Sequence, residues 1–375
     1  MRRSYVLTGV TALAIVVVGV LWLNTGKIGG PCPLEEPAPP EGCESCPVPP
    51  GPLSRSNRLL GIDVTIQQEG SYDDAFMVAR NAGMEFTTLS LGWDELEPAP
   101  GQYADELLDA ANAYYPATGT KLALTIAVID TVTLRMPADL DGRSLGDPEV
   151  VSRFNSLLQR VLEGLPDVDV FVLSIGNEVD SYLGDDGLLW RQYTEFFRQA
   201  AEHARELRPG MDVGVKMQFH GLTRDAIEQA QALNEYSDVV LLTYYPLNAD
   251  FTVRPPWQAD EDLGKVAALY PDRVAMLLEC GYPSGVGVGS SEELQADFVR
   301  QVFAAWDHRA LWLRAVCFTW LYDRSPGDLE SFSRHYGVGD EQPLEFLATL
   351  GLRTFDGRPK AAFDVLQTEA GVRGW

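Results

Sequence analysis

Lysine is nearly absent from this chain: five residues, Lys27, Lys121, Lys216, Lys265 and Lys360, in a sequence of 375. All 29 bases together face 54 acids, for a net charge of -25. Such a chain repels nucleic acid and anionic lipid, and without a basic stripe it has no use for a phosphate backbone as partner. The four histidines are scattered without metal-ligand spacing, so no His-built metal site is expected and no cofactor is called for. Cysteine is sparse as well, and three of the five, Cys32, Cys43 and Cys46, crowd into one short stretch. The C-x-x-C at 43 and 46 lacks the second pair that a zinc site needs and reads as local disulfide chemistry in an exported linker. Cys280 and Cys317 fall on predicted strands and read as buried thiols.

Long apolar runs are also missing, with one exception. Arg2-Arg3 precede an unbroken run from Tyr5 to Leu23, close to the ~20 residues needed to span a bilayer. No small-x-small cleavage pattern follows it, so residues 1–28 read as an uncleaved signal-anchor with the rest of the chain outside the cytoplasm; cleavage would instead make the protein secreted. Residues 29–57, dense in Pro, Gly and Glu, bury too little to fold and read as a tether. Residues 58–375 then form one folded domain.

Within that domain short apolar runs alternate with helix-period segments. The predicted strands are Leu59 to Val64, Glu85 to Leu91, Lys121 to Val128, Val168 to Ile175, Asp212 to Met217, Val239 to Thr243, Val274 to Leu278 and Ala315 to Trp320. Helical patterns follow each: Tyr72 to Ala82, Asp105 to Tyr115, Glu149 to Leu165, Leu189 to Leu207, Arg224 to Asn234, Glu261 to Leu269, Glu292 to Trp306 and Lys360 to Thr368. Eight strand-helix units call for an α/β fold of the (β/α)8 TIM-barrel type, a single domain, rather than an open sheet. The long irregular insert expected from Tyr322 to Thr349 follows strand eight, on the rim where barrel active sites lie.

Several of these strands end in residues that packing alone would not ask for. Asp63 ends strand one, Trp93 strand two, Asp130 strand three, Asn177-Glu178 strand four, His220 strand five, Tyr244-Tyr245 strand six, Glu279 strand seven and Trp320 strand eight. In a closed barrel they share one rim, where Glu178 and Glu279 can face each other as acid/base and nucleophile. Acids flanked by Trp and Tyr suit a sugar, whose faces stack and whose hydroxyls seek acceptors. A lone Asn-Glu after a strand is equally a capping turn, and each aromatic could simply plug the barrel. His220 reads as a satisfied rim histidine more readily than as a catalyst. Gly285-x-Gly287-x-Gly289 before a helix misses the dinucleotide spacing and reads as a flexible loop rather than a phosphate cradle.

Taken together, the strand-end motifs resemble those of the clan A superfamily of (β/α)8 retaining glycoside hydrolases. Gly176-Asn177-Glu178 is similar to its strand-four motif, which implies Glu178 as acid/base and Asn177 as donor to the sugar 2-hydroxyl. Leu278-Glu279-Cys280-Gly281-Tyr282-Pro283 resembles its strand-seven motif, which implies Glu279 as nucleophile. Thr243-Tyr244-Tyr245-Pro246 resembles a strand-six signature of endo-acting β-galactanases and β-mannanases, in which a Tyr hydroxyl, here Tyr245 in preference to Tyr244, touches the nucleophile. Phe318-Thr319-Trp320 resembles the strand-eight segment whose Trp floors the cleavage subsite. Trp93 to Tyr103 and Gly351 to Ala361 carry phrases common in these enzymes. The resemblance implies a retaining hydrolase of β-linked poly- or oligosaccharide, and the N-terminal apolar run would tether it to the membrane. One departure is visible: Thr87 to Trp93 carries no arginine for the nucleophile, so Lys216, Arg135 or His220 would have to serve, or the barrel binds carbohydrate without cleaving it.

Overall fold

The computed structural model describes residues 51–337 and 339–375. The expected anchor and most of the expected tether therefore lie outside the described residues, as do Cys32, Cys43 and Cys46. Among the described residues no helix is long and apolar enough to cross a membrane.

Ten strands form one sheet: β1 (Leu59–Ile62), β2 (Phe86–Gly92), β3 (Lys121–Asp130), β4 (Thr133–Leu134), β5 (Val170–Asn177), β6 (Asp212–Gly214), β7 (Lys216–Gln218), β8 (Val240–Tyr244), β9 (Ala275–Cys280) and β10 (Leu313–Phe318). Their order is β6-β5-β3-β2-β1-β10-β9-β8-β7, with β4 folding back antiparallel on β3. The two ends of that path, β6 and β7, are consecutive pieces of one chain segment interrupted at Val215, so the sheet closes on itself as an eight-stranded parallel barrel. The eight predicted strands all appear, and Asp212 to Met217 is the segment that closes the ring. Each such strand is buried on both faces, which is why its sequence runs apolar rather than alternating.

Twelve α-helices surround the sheet: α1 (Tyr72–Asn81), α2 (Trp93–Leu96), α3 (Asp105–Thr118), α4 (Pro148–Gly164), α5 (Val179–Leu183), α6 (Gly187–Leu207), α7 (Ile227–Asn234), α8 (Gln258–Leu269), α9 (Glu292–His308), α10 (Pro326–Tyr336), α11 (Glu341–Ala348) and α12 (Ala361–Arg373). Their starts follow ordinary capping chemistry. Asp147 accepts from the Glu149 amide with Pro148 in the first turn of α4, and Ser291 accepts from the Leu294 amide at α9. The segment expected to be an irregular insert, Tyr322 to Thr349, carries α10 and α11 instead. Ser325 and Asp328 form a capping box around Pro326, a start signal that the irregular reading overlooked.

Phe86, Val172, Leu241, Met276, Leu278 and Cys317 fill the barrel interior, and Gly61 on β1 makes room for them: a Cβ there would lie 2.4 Å from the tip of the Phe86 ring. A second layer of apolar side chains joins sheet to helices, and a third cluster, Tyr245, Trp320, Phe332, Tyr336, Phe346 and Leu350, caps the C-terminal rim. Cys280 and Cys317 are buried free thiols, as expected. The first described residues reach the opposite end, where the Arg55 amide donates to the Arg373 carbonyl and Arg58 pairs with Asp307 at 2.7 Å.

Candidate active site

The strand-four carboxylate is placed by a local conformation that its neighbours enforce. Gly176 has φ +101, and a Cβ there would stand 2.5 Å from Val179 Cγ1 and 2.7 Å from the Tyr193 hydroxyl, so only glycine lets β5 turn here. Glu178 itself is left-handed, with φ 44 and ψ 46. A non-glycine residue held in that region costs roughly 1 kcal/mol or more, and such residues concentrate at functional sites. The turn delivers a fully buried side chain to the barrel mouth. There Thr243 Oγ1 donates to Glu178 Oε1 at 2.6 Å, while Thr131 Oγ1 and Gln218 Nε2 donate to Oε2 at 3.2 and 3.3 Å. The two threonine hydroxyls are able to donate to a carboxylate or to accept from a carboxylic acid, so the cradle accommodates both protonation states.

Glu279, also fully buried, arrives on β9. Lys216 Nζ on β7 pairs with its Oε1 at 2.5 Å, and the Tyr245 hydroxyl donates to Oε2 at 3.4 Å. Thr243 ties the two acids together: its backbone stands opposite Glu279 in the β8–β9 register, and its hydroxyl holds Glu178. Both carboxylates therefore occupy the same end of the barrel. Burial, followed by the charges of Glu279 and Glu178, raises the Tyr245 phenol well above its usual range, and burial with Asp130, Glu178 and Glu279 does the same to Tyr336.

Other strand ends complete the site. Burial pushes the Asp63 carboxyl up to about 6, against the pull of Arg324 and Lys216 and with the help of Glu279. Asp130 is likewise pushed up to about 6 by burial, although Asn177 Nδ2 donates to its Oδ1 at 2.9 Å and Arg135 lies 3.6 Å from its Oδ2. Trp320 is 1% exposed, stacked on Phe332 at an interplanar angle of 12° with the Arg324 guanidinium 4.8 Å from its ring centre. Four polar atoms here, Asn177 Oδ1, Trp320 Nε1, His335 Nε2 and the Tyr336 hydroxyl, are buried and make no hydrogen bond within the protein. Each such group costs about 1–3 kcal/mol while unsatisfied.

Of the residues expected at the site, Glu178, Glu279, Asn177, Tyr245, Asp63 and Trp320 come together. Trp93 and Tyr244 do not. Trp93 packs edge-on against Phe154 of α4 and donates to Glu97 Oε2 at 2.9 Å, behind the sheet. Tyr244 alternates outward from Thr243, and its hydroxyl donates to Asp262 on α8 at 3.0 Å. His220 is half-buried beside Phe219; its pKa is lowered by burial and by Arg224, with Asp225, Arg254 and Asp262 also around it. Of the three candidates to replace the strand-two arginine, Lys216 is the one on Glu279. Arg135 is committed to Asp94 and Glu95. Thr131, Gln218, His335 and Tyr336 escaped the sequence reading, in which Thr243 stood only as part of the strand-six motif and Lys216 only as a candidate to replace the missing strand-two arginine. The Gly285–Gly289 loop is neither a phosphate cradle nor an open loop, since the Gly287 amide donates to Glu345 Oε1 of α11 at 2.7 Å.

No family model and no curated protein matches this sequence. Solved structures do match. A GH5_18 variant from Bifidobacterium longum subsp. longum in complex with Manb1-4GlcNAc is similar at 14% identity and TM-score 0.64, over 84% of this chain and 78% of that one. The exo-beta-1,4-mannosidase Op5Man5 from Opitutaceae bacterium strain TAV5 gives 15%, 0.66, 84% and 59%. A family 39 glycoside hydrolase from Bacteroides cellulosilyticus WH2 gives 15%, 0.59, 85% and 65%. The chain shares its fold with glycoside hydrolases. At these identities the likeness is one of fold, and it meets the resemblance expected from the strand-end motifs at that level. The chemistry rests on the residues described above.

Proposed function

We propose that the chain is a retaining β-glycosidase in which Glu279 attacks the anomeric carbon and Glu178 protonates the departing oxygen. The observation that carries this reading is Thr243, which binds one acid through its side chain and flanks the other through its backbone, setting two carboxyl groups across one mouth. Lys216 keeps Glu279 in company with a positive charge and occupies Oε1, which leaves Oε2, touched only by the Tyr245 hydroxyl at 3.4 Å, as the attacking atom. The glycosyl-enzyme ester then forms as the glycosidic C–O bond breaks and the proton of Glu178 passes to the leaving oxygen. In the second half Glu178 removes a proton from water, water attacks the anomeric carbon and Glu279 leaves as carboxylate. Retention requires the two carboxyl groups to work at about 5–5.5 Å, whereas inversion needs roughly 6.5–9.5 Å.

The neighbours of known structure that carry β-mannoside names make β-1,4-mannosides the first substrates to try, followed by β-galactan, β-glucan and xylan. A non-catalytic carbohydrate-binding barrel drew its support from the missing strand-two arginine, and Lys216 removes that support. The N-terminal sequence would tether the domain outside the cytoplasm. A hydrolysis screen over the four polymers and their 4-nitrophenyl glycosides, with product anomers followed by proton NMR, tests the reading. A retained anomer that disappears in both Glu178→Gln and Glu279→Gln is the expected result, and an inverted product or undiminished variants would refute it.

A further inference from the structure

The acids that would cleave sugar are fully buried in this conformation, and the element that covers them is identifiable. Trp320, just past the end of β10, has Phe332 of α10 lying on it. Tyr336, at the last turn of α10, is buried in the same rim cluster as Tyr245 and Trp320. His335 beside it points Nε2 toward Asp130 Oδ2 at 3.9 Å, too far for a hydrogen bond. Helix α10 thus lies on rim residues that stand beside the two acids.

The attachment of this helix differs from that of its neighbour. Helix α11 is latched: Glu345 accepts from the Gly287 amide, and Thr349 receives the Ser284 and Gly285 amides at 3.0 and 3.1 Å. On α10 only Phe332 and Tyr336 are buried, and the side chains that turn inward bring two orphaned polar atoms, the Tyr336 hydroxyl and His335 Nε2. Closure over an empty site thus gains apolar contact but strands polar groups. Closure over a sugar would give both atoms a hydroxyl to bond, together with the orphaned Asn177 Oδ1 and Trp320 Nε1. The left-handed Gly337 ends α10.

We propose that α10 is a substrate-operated lid, and that its Tyr336 hydroxyl and His335 imidazole bind hydroxyls of the sugar held between Glu178 and Glu279 and so determine which sugar is accepted. This rests on the glycosidase reading above, and the test separates the two. Kinetics on 4-nitrophenyl β-mannoside, β-galactoside, β-glucoside and β-xyloside are compared for wild type, Tyr336→Phe and His335→Ala. Hydrogen exchange of residues 326–336 is followed in Glu279→Gln protein with and without β-1,4-mannobiose, β-1,4-galactobiose or cellobiose. Removing one oxygen in Tyr336→Phe leaves the fold intact, which a melting curve checks. The expected result is a kcat/KM at least ~10-fold lower for each variant on the preferred glycoside, carried mainly by KM, with a changed order of preference among the four glycosides. Exchange in α10 should be fast in the free protein and slowed by the preferred disaccharide. Wild-type turnover with unaltered kinetics in both variants, or with α10 exchange indifferent to sugar, overturns the lid and leaves the glycosidase standing. A wild-type protein that neither cleaves nor binds any of these sugars overturns both.

Discussion

Replacing Lys216 by Met removes the cation that pairs with Glu279 among the described residues, at nearly constant side-chain length. The pair is 2.5 Å apart with each side chain 1% exposed, so its charges are screened by little water. Deleting one partner of such a buried pair costs about 3–5 kcal/mol, mostly because a charge is left without compensation. Here the surroundings aggravate the loss, since Asp63 and Asp130 are also buried at the mouth and no lysine replaces the missing ammonium among the described strand ends. Urea denaturation of Lys216→Met at neutral pH reads this directly, with an expected loss of about 3 kcal/mol or more. Turnover should fall by roughly 100-fold or more. Lys216→Arg keeps the charge and should recover most of the stability, though the planar guanidinium will not reproduce a point contact on Oε1. A Met variant within about 1 kcal/mol of wild type, with unaltered turnover, would refute the assignment of Lys216 to Glu279.

Three further outcomes follow from the same contacts. Thr243→Val removes the 2.6 Å bond to Glu178 at constant volume and should lower kcat roughly 10-fold with KM little changed, measured on whichever glycoside the screen selects. Burial pushes the Asp180 carboxyl up to about 7, so the folded chain holds a proton that the unfolded chain, with an ordinary carboxyl near 3.8, gives up earlier. Stability from this group is fully present below about pH 4 and is lost as pH rises through about 7; Asp180→Asn should flatten the decline between pH 4 and 7 in chemical denaturation. Gly61→Ala would set a Cβ 2.4 Å from the Phe86 ring, which is enclosed in the barrel and cannot swing away, and should cost about 1–3 kcal/mol in the same assay.

The barrel was legible because a strand buried on both faces must be written as an apolar run, and eight such runs separated by helical periods leave few alternatives. The two glutamates were legible for the complementary reason: a carboxylate directly after an apolar strand has no packing role to explain it. Tyr245 was separable from Tyr244 by the motif, and the structure agrees, since alternation along β8 turns Thr243 and Tyr245 toward the mouth and Tyr244 toward Asp262. Trp93 was misplaced because the end of β2 does not announce which way the chain leaves the sheet; it turns at once into α2 and carries the indole behind the barrel. The insert after β10 was underestimated because its apolar residues serve the rim rather than a helix-wide core face. Only Phe332 and Tyr336 are buried on α10, too few to give a periodic signal over eleven residues. His335 and Tyr336 enter the site from that helix, about 57 residues in sequence from Glu279 and farther from Glu178, a meeting that only the closed barrel brings about.

Incubation with an activated 2-deoxy-2-fluoro-β-glycoside, followed by proteolysis and peptide mass spectrometry, probes the central claim most directly, because it traps the covalent half of the reaction. The account requires the sugar to be found esterified to Glu279, and requires labelling to vanish in Glu279→Gln while the fold persists. A sugar on any other side chain, or steady turnover of the parent glycoside with no adduct formed, would contradict it.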